Sequence, residues 1–160
     1  MKAMLLRIGI DKGTDGTLGP IFEDSSFEYI PISEGDSKSK EDRTYNNTIG
    51  RSGKPLSTYL PKGIENRTIH FDPEFETFTY GDPTSKRKYL LKLGKDDLLV
   101  FYAGLTPFKN NKHKEALYFI GYFTIEKVID FNQLTKNEIT KCYQFYPNNA
   151  HLKRSYDTED

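Results

Sequence analysis

Residues 97–105 read "DLLVFYAGL", an unbroken apolar run that follows a Gly-Lys-Asp turn. Leu98 to Ala103 is too short for a buried helix and mixes β-branched and aromatic residues, which predicts a strand. A basic connection, "TPFKNNKHKEA", separates it from "LYFIGYFTIEKVIDF", residues 117–131, which predicts a long returning strand. Phe119, Phe123 and Ile125 share one face of that strand, and Gly121 between them suggests a bulge or a close backbone approach. A long hairpin of this kind bends readily toward a barrel. The fold expected from it is α+β: a bent, mostly antiparallel sheet or partial β-barrel with about three short helices.

Outward from this hairpin, residues 4–10 predict a buried strand at the centre of the sheet, followed by a glycine-rich loop to Pro20. Ile21-Phe22 and residues 27–32 flank "EDSS" as a hairpin. Residues 33–43 are polar, mixed in charge and aperiodic, which predicts a mobile loop. Residues 44–63 hold too much Gly, Pro and Asn for a long element, and loops of such length are often functional. In "HFDPEFETFTYGDP", residues 70–83, Asp72-Pro73 has the grammar of a helix start, with Phe71, Phe75 and Phe78 on one face. Asp82-Pro83 repeats it and opens a second helix over 83–93. Thr135 and Glu138 have capping-box spacing and open a third, to about Tyr146. One domain is expected over residues 1–154, with a polar tail at 155–160.

The 23 basic and 23 acidic residues cancel, so a nucleic-acid partner would have to bind local patches. Cys142 is the single cysteine, which excludes a disulfide framework and a cysteine metal cluster. No apolar run approaches a membrane span, and the opening residues lack a signal-peptide cleavage pattern. The simple expectation is a soluble, cytoplasmic protein without a membrane partner.

Candidate chemistry falls into three groups. His70, Asp72 and Glu74 alternate and, with His151, have the residue types of a divalent-ion site, but a helix starting at Pro73 would break the alternation. No metal and no cofactor are therefore expected. Cys142 on a buried helix face is an inert hydrophobe. "GRSGKPLS", residues 50–57, lacks the spacing of a nucleotide-phosphate loop, although its amides, Arg51 and Lys54 could face a phosphate. Three basic clusters, Arg51 with Lys54, Lys86-Arg87-Lys88, and Lys109 to Lys114, accompany Tyr45, Tyr59, Phe78, Tyr80 and Tyr102. Cations that hold phosphates beside rings that stack on bases make a nucleic-acid surface.

The segments "LLRIGIDKG", "GPIFEDSSFEYIPI", "HFDPEFETFTYGDP", "DLLVFYAGL", "LYFIGYF" and "NAH" together resemble the third class of nucleotide-modification-associated domains, over residues 4–154. The hairpin alone resembles the PUA, ASCH and EVE group of small curved barrels, several of which bind modified bases or RNA. The first resemblance implies a role in DNA base hypermodification. Its members commonly continue past Asn-Ala-His, so a chain ending at Asp160 is expected to be either a short form or a truncated one.

The resemblance sharpens the site. If residues 78–81 form a bend between two helices, Thr79, Tyr80 and Asp82 face a base-binding pocket, joined by Arg7, Asp11, Tyr102 and His151. Arg51, Lys54, Lys86, Arg87 and Lys112 would hold phosphates. The first expectation is a recognition module for a nucleobase, nucleotide or nucleic acid, with DNA the expected form. The alternatives are an enzyme using Asp72, Glu74, Asp82, His70 or His151 as acid and base, and a scaffold whose aromatic loops bind another protein.

Overall fold

The computed structural model describes residues 1–155; the tail expected at 155–160 lies outside them from Tyr156 onward. The run at 98–105 is the central strand of an α+β fold, β3 (Leu98–Pro107). One edge of β3 pairs antiparallel with β4 (Ala116–Thr124), from Leu98↔Thr124 to Leu105↔Ala116. A strand has only two hydrogen-bonding edges. The other is shared end to end by β1 (Ala3–Arg7) and β2 (Gly19–Ile21), both parallel to β3. The expected hairpin is therefore present, but two of the three pairings are parallel and the four strands form an open sheet. This corrects the mostly antiparallel partial barrel, and it moves the N-terminal strand from the centre to the edge. The physical reason is length: β1 ends at Arg7, where the chain turns away through Gly9 and Ile10 donates to Ile30 instead of to β3.

The bulge lies beside Gly121. Phe101 sits opposite Gly121 and Tyr102 opposite Phe119, so Ile120 has no partner across the ladder. One extra residue reverses which side chains face the core. Ile120 packs inward on one side of the bulge, Phe123 and Ile125 on the other, and Phe119 is 73% exposed. The shared face of Phe119, Phe123 and Ile125 is thus split. The strand also ends at Thr124 rather than continuing to Phe131.

Helices are short. Residues 73–78 form no helix: Asp72-Pro73 is joined by a cis peptide, and the segment closes as a turn bridged between Glu74 and Thr79. The second expected helix shrinks to α1 (Arg87–Leu90). The capping box at Thr135 is present in both directions and opens α2 (Lys136–Phe145), whose Ile139, Cys142 and Tyr143 are half-buried. α3 (Ala150–Ser155) was not foreseen; Asn149 starts it by accepting the amides of His151 and Leu152.

Three apolar clusters fill the interior. Leu6, Ile8, Leu99, Phe101, Phe123 and Ile125 lie under one sheet face; Ile21, Ala103 and Leu105 extend it. A second core, Ile10, Ile30, Tyr45, Leu56, Tyr59 and Ile69, sits beneath the long 44–63 segment. That segment is built around core side chains: Tyr45 is fully buried and donates to the Pro31 carbonyl at 2.9 Å. Tyr45 and Tyr59 are thereby removed from the set of rings that could stack on a base. The 33–43 segment is pinned as well. Glu41 is buried and takes Lys153 of α3 at 2.6 Å and Arg43 at 2.8 and 2.9 Å.

Two consequences are measurable. Phe101 is fully buried among the rings of Phe75, Tyr80 and Phe123, so Phe101→Ala should lower stability in urea unfolding by about 3–5 kcal/mol. Burial alone would raise the Glu41 carboxyl, but Arg43 and Lys153 hold it below its ordinary 4.5. Its contribution is complete above pH 4.5 and is lost as pH falls through the lowered value. Glu41→Gln should therefore cost on the order of 3 kcal/mol near neutrality and flatten the acid limb of the stability profile.

Candidate functional site

The acidic-aromatic stretch borders a cleft of about 750 Å³. Residues 77–83 form one wall. The chain leaving β4, from Phe123 to Asn132, forms another part of the lining, and α1 and α3 supply Arg87, Leu90, His151 and Arg154. The turn holding the first wall is organised by Glu74. Its buried carboxylate accepts the amides of Glu76, Thr77 and Thr79 at 2.9, 2.9 and 3.0 Å, and the Thr77 hydroxyl. Burial would raise its pKa; these bonds lower it. Glu74 faces the turn and not the cleft.

The turn presents two rings. Phe78 has a φ of 59°, a left-handed conformation uncommon for a bulky residue, and stands 66% exposed against Phe123. Tyr80 leans on Phe101 with centroids 5.8 Å apart, its hydroxyl 3.5 Å from Asp82 Oδ2. Burial, followed by the nearby Asp72 and Asp82, pushes the Tyr80 phenol well above its ordinary value, so it stays a donor. Asp82 accepts the Thr84 amide at 2.8 Å and pairs with Lys86 at 3.2 Å. Burial opposes its charge, while Thr84 and Lys86 hold its pKa low. Arg87 donates to both oxygens of Asp130 at 2.8 and 2.6 Å, and both residues line the cleft.

Asp72, expected to cap a helix, instead joins distant segments. Its Oδ1 accepts the Gly81 amide at 2.9 Å and its Oδ2 lies 3.3 Å from His151 Nε2. Burial raises its pKa, opposed in part by His151. Gly81 is required for this approach: a Cβ there would lie 2.5 Å from His151 Cδ2. His70 meets the His151 ring edge-to-face at 5.1 Å, and its Nδ1 lies 3.0 Å from Glu34 Oε2. Glu34 is held by Arg154 at 2.6 and 3.2 Å. Burial works against its charge, yet Arg154, the Asp36 amide and His70 lower its pKa to about 2. His70, Asp72 and His151 offer three donor atoms within 4.8 Å of one another.

Of the residues expected to bind a base, Thr79, Tyr80, Asp82 and His151 line this cleft; Arg7, Asp11 and Tyr102 do not. Arg7, Tyr102 and Phe119 form a cross-strand row on β1, β3 and β4, one register step from the inward-facing Leu6 and Phe101. Alternation along β1 and β3 therefore sends them to the other sheet face. Arg7 pairs with Asp11 at 3.5 Å there.

Of the expected phosphate ligands, Arg87 lines the cleft and Lys86 touches it through Asp82. Lys112 lies on the β3–β4 connection, where its amide donates to Asn110. The 50–54 loop does cradle an anion, but its own: the amides of Arg51 and Ser52 both donate to the buried Glu28 carboxylate. Gly50 leaves room for that carboxylate, which a Cβ would strike. The amides of this loop are therefore taken, and Arg51 and Lys54 lie outside the cleft lining. Phe78, expected among the stacking rings, lines the cleft; Glu34, Asn149 and Arg154 were missed. Asn149 also donates to Thr79 at 2.8 Å, tying α3 to the cleft wall.

No helix among the described residues is long and apolar enough to cross a membrane. No curated protein and no solved structure matches the chain. A family model described as nucleotide modification associated domain 3 matches residues 2–159, almost its full length. The fold and cleft just described therefore belong to a member of the nucleotide modification associated domain 3 family.

Proposed function

We propose that this chain recognises a nucleobase or nucleotide, as part of nucleic acid or free, in the cleft between residues 77–83 and the chain leaving β4. The carrying observation is the convergence of two rings, a carboxylate and a histidine on one recess of about 750 Å³, within the range of about 300–1,000 Å³ usual for small-molecule sites. Phe78, exposed on a left-handed backbone, and Tyr80 offer stacking faces. Asp82 offers an acceptor for an exocyclic amine, and Lys86 and Arg87 offer charge to flanking phosphates. Binding a phosphate through Arg87 exchanges one anion for another, because Asp130 already occupies it. The family name, with its link to nucleotide modification, supports the same class of ligand.

A second reading, an enzyme, is favoured by the contact of His151 with the buried Asp72 at the cleft wall. A carboxylate that orients an imidazole is the arrangement of general acid–base catalysis. Turnover of a nucleotide by the wild type, lost in His151→Gln with binding retained, would select this reading.

Fluorescence-anisotropy titration with modified and unmodified oligonucleotides, and calorimetry with free nucleotides, test the first. Tyr80→Ala and Phe78→Ala should each weaken binding by about 1–3 kcal/mol, the value of one stacked base. Gly81→Ala, by displacing the His151 ring, should weaken binding while the protein stays folded by circular dichroism. Affinity unchanged in all three variants would place the ligand elsewhere.

A further inference from the structure

The His70, Asp72 and His151 cluster has features that nucleobase recognition does not call for. The helix that argued against a metal at Pro73 is not formed, although Glu74 is committed to its turn and drops out of the set. Three side chains remain, from two distant segments, with donor atoms within 4.8 Å. His70 and Asp72 each have one polar atom engaged by the protein in a way that orients the other. His70 Nδ1 is 3.0 Å from Glu34, which leaves its Nε2 as the ligating atom. A metal-bound imidazole characteristically donates its other N–H to a carboxylate, and Glu34 is built for that role. Arg154 and the Asp36 amide fix both of its oxygens. Asp72 Oδ1 is held by the Gly81 amide, leaving Oδ2 toward His151 Nε2.

We propose that His70, Asp72 and His151 form a mononuclear site for a divalent first-row transition ion of the zinc or iron(II) class, with Glu34 as the outer partner of His70. The donor set is two imidazoles and one carboxylate. It suits these borderline ions and leaves coordination positions for water or substrate. Magnesium and calcium, which prefer oxygen ligands, fit it poorly. Arg154 Nη2 stands 3.1 Å from His70 Nδ1, but its charge is matched by Glu34 in the same ion pair. The contact also sets two exclusive tautomers. Either Nδ1 carries the proton toward Glu34 and Nε2 binds the ion, or Nδ1 accepts from Arg154 and Nε2 is protonated. His151 also lines the cleft, so the ion would stand at its wall. That placement rests on the cleft being the ligand site; the binding of the ion does not.

The test uses the full chain after chelation and dialysis, titrated with Zn(II) by calorimetry and with Co(II) by visible absorption, without nucleotide. One equivalent is expected to bind, with Mg(II) failing to compete. Glu34→Gln should weaken binding about 10–100-fold, the usual effect of losing such an outer partner. His70→Ala and His151→Ala should abolish the stoichiometric phase. Should these variants unfold, ¹⁵N-resolved imidazole spectra of the wild type decide, because the chain has only three histidines. Zn(II) should fix His70 with Nδ1 protonated and shift His70 and His151 while leaving His113 unmoved. No stoichiometric binding, a response at His113 alone, or equal competition by Mg(II) would overturn the proposal.

Discussion

Buried carboxylates take the place of regular secondary structure across much of this chain. Backbone amides taken out of water must find acceptors, and outside the sheet there are few ladders to supply them. Glu28 accepts the amides of Arg51 and Ser52, Glu74 those of Glu76, Thr77 and Thr79, and Asp97 those of Lys2 and Gly94. Each carboxylate closes an irregular segment that apolar contacts alone would leave free. Where the carboxylate is not saturated by amides, it meets α3 instead: Asp72 meets His151, Glu41 meets Lys153, and Glu34 meets Arg154. The short helix is therefore held by three carboxylates as well as by its buried Ala150 and Leu152, and it supplies part of the cleft lining.

This explains which parts of the fold were legible. Apolar periodicity reports burial against a sheet, so β3, β4 and the bulge near Gly121 could be read directly. The capping box at Thr135 is local chemistry and was equally plain. Asp72-Pro73 misled because a carboxylate before proline suits both a helix cap and a long-range acceptor, and only the position of Gly81 and His151 separates the two. Strand direction was hidden for a related reason. β1 and β2 share an edge of β3 only once the intervening loop has folded, and nothing in their own residues encodes that.

The site was legible in part, along the same division. Tyr80, Asp82 and Thr79 are near neighbours in sequence and share a wall. Arg7 and Tyr102 stand apart from that wall because strand alternation placed them one step from the inward-facing Leu6 and Phe101. Glu34 and Arg154 were invisible: a glutamate in a polar run and an arginine near a chain end look like solvated charges until their pairing across 120 positions is seen.

The unpaired Ile120 sets a rule for how β4 can vary. Side chains before it and after it obey opposite alternations, and both must hold for Tyr118, Ile120 and Phe123 to reach the interior. Exchanging one residue for another between Leu117 and Tyr122 disturbs a single position. Removing Ile120 would join Phe119 directly to Gly121 opposite Tyr102 and Phe101, so the flanking side chains would keep their faces while the strand lost its local bend. The extra residue thus contributes curvature and one more interior side chain, and leaves the facing of its neighbours untouched.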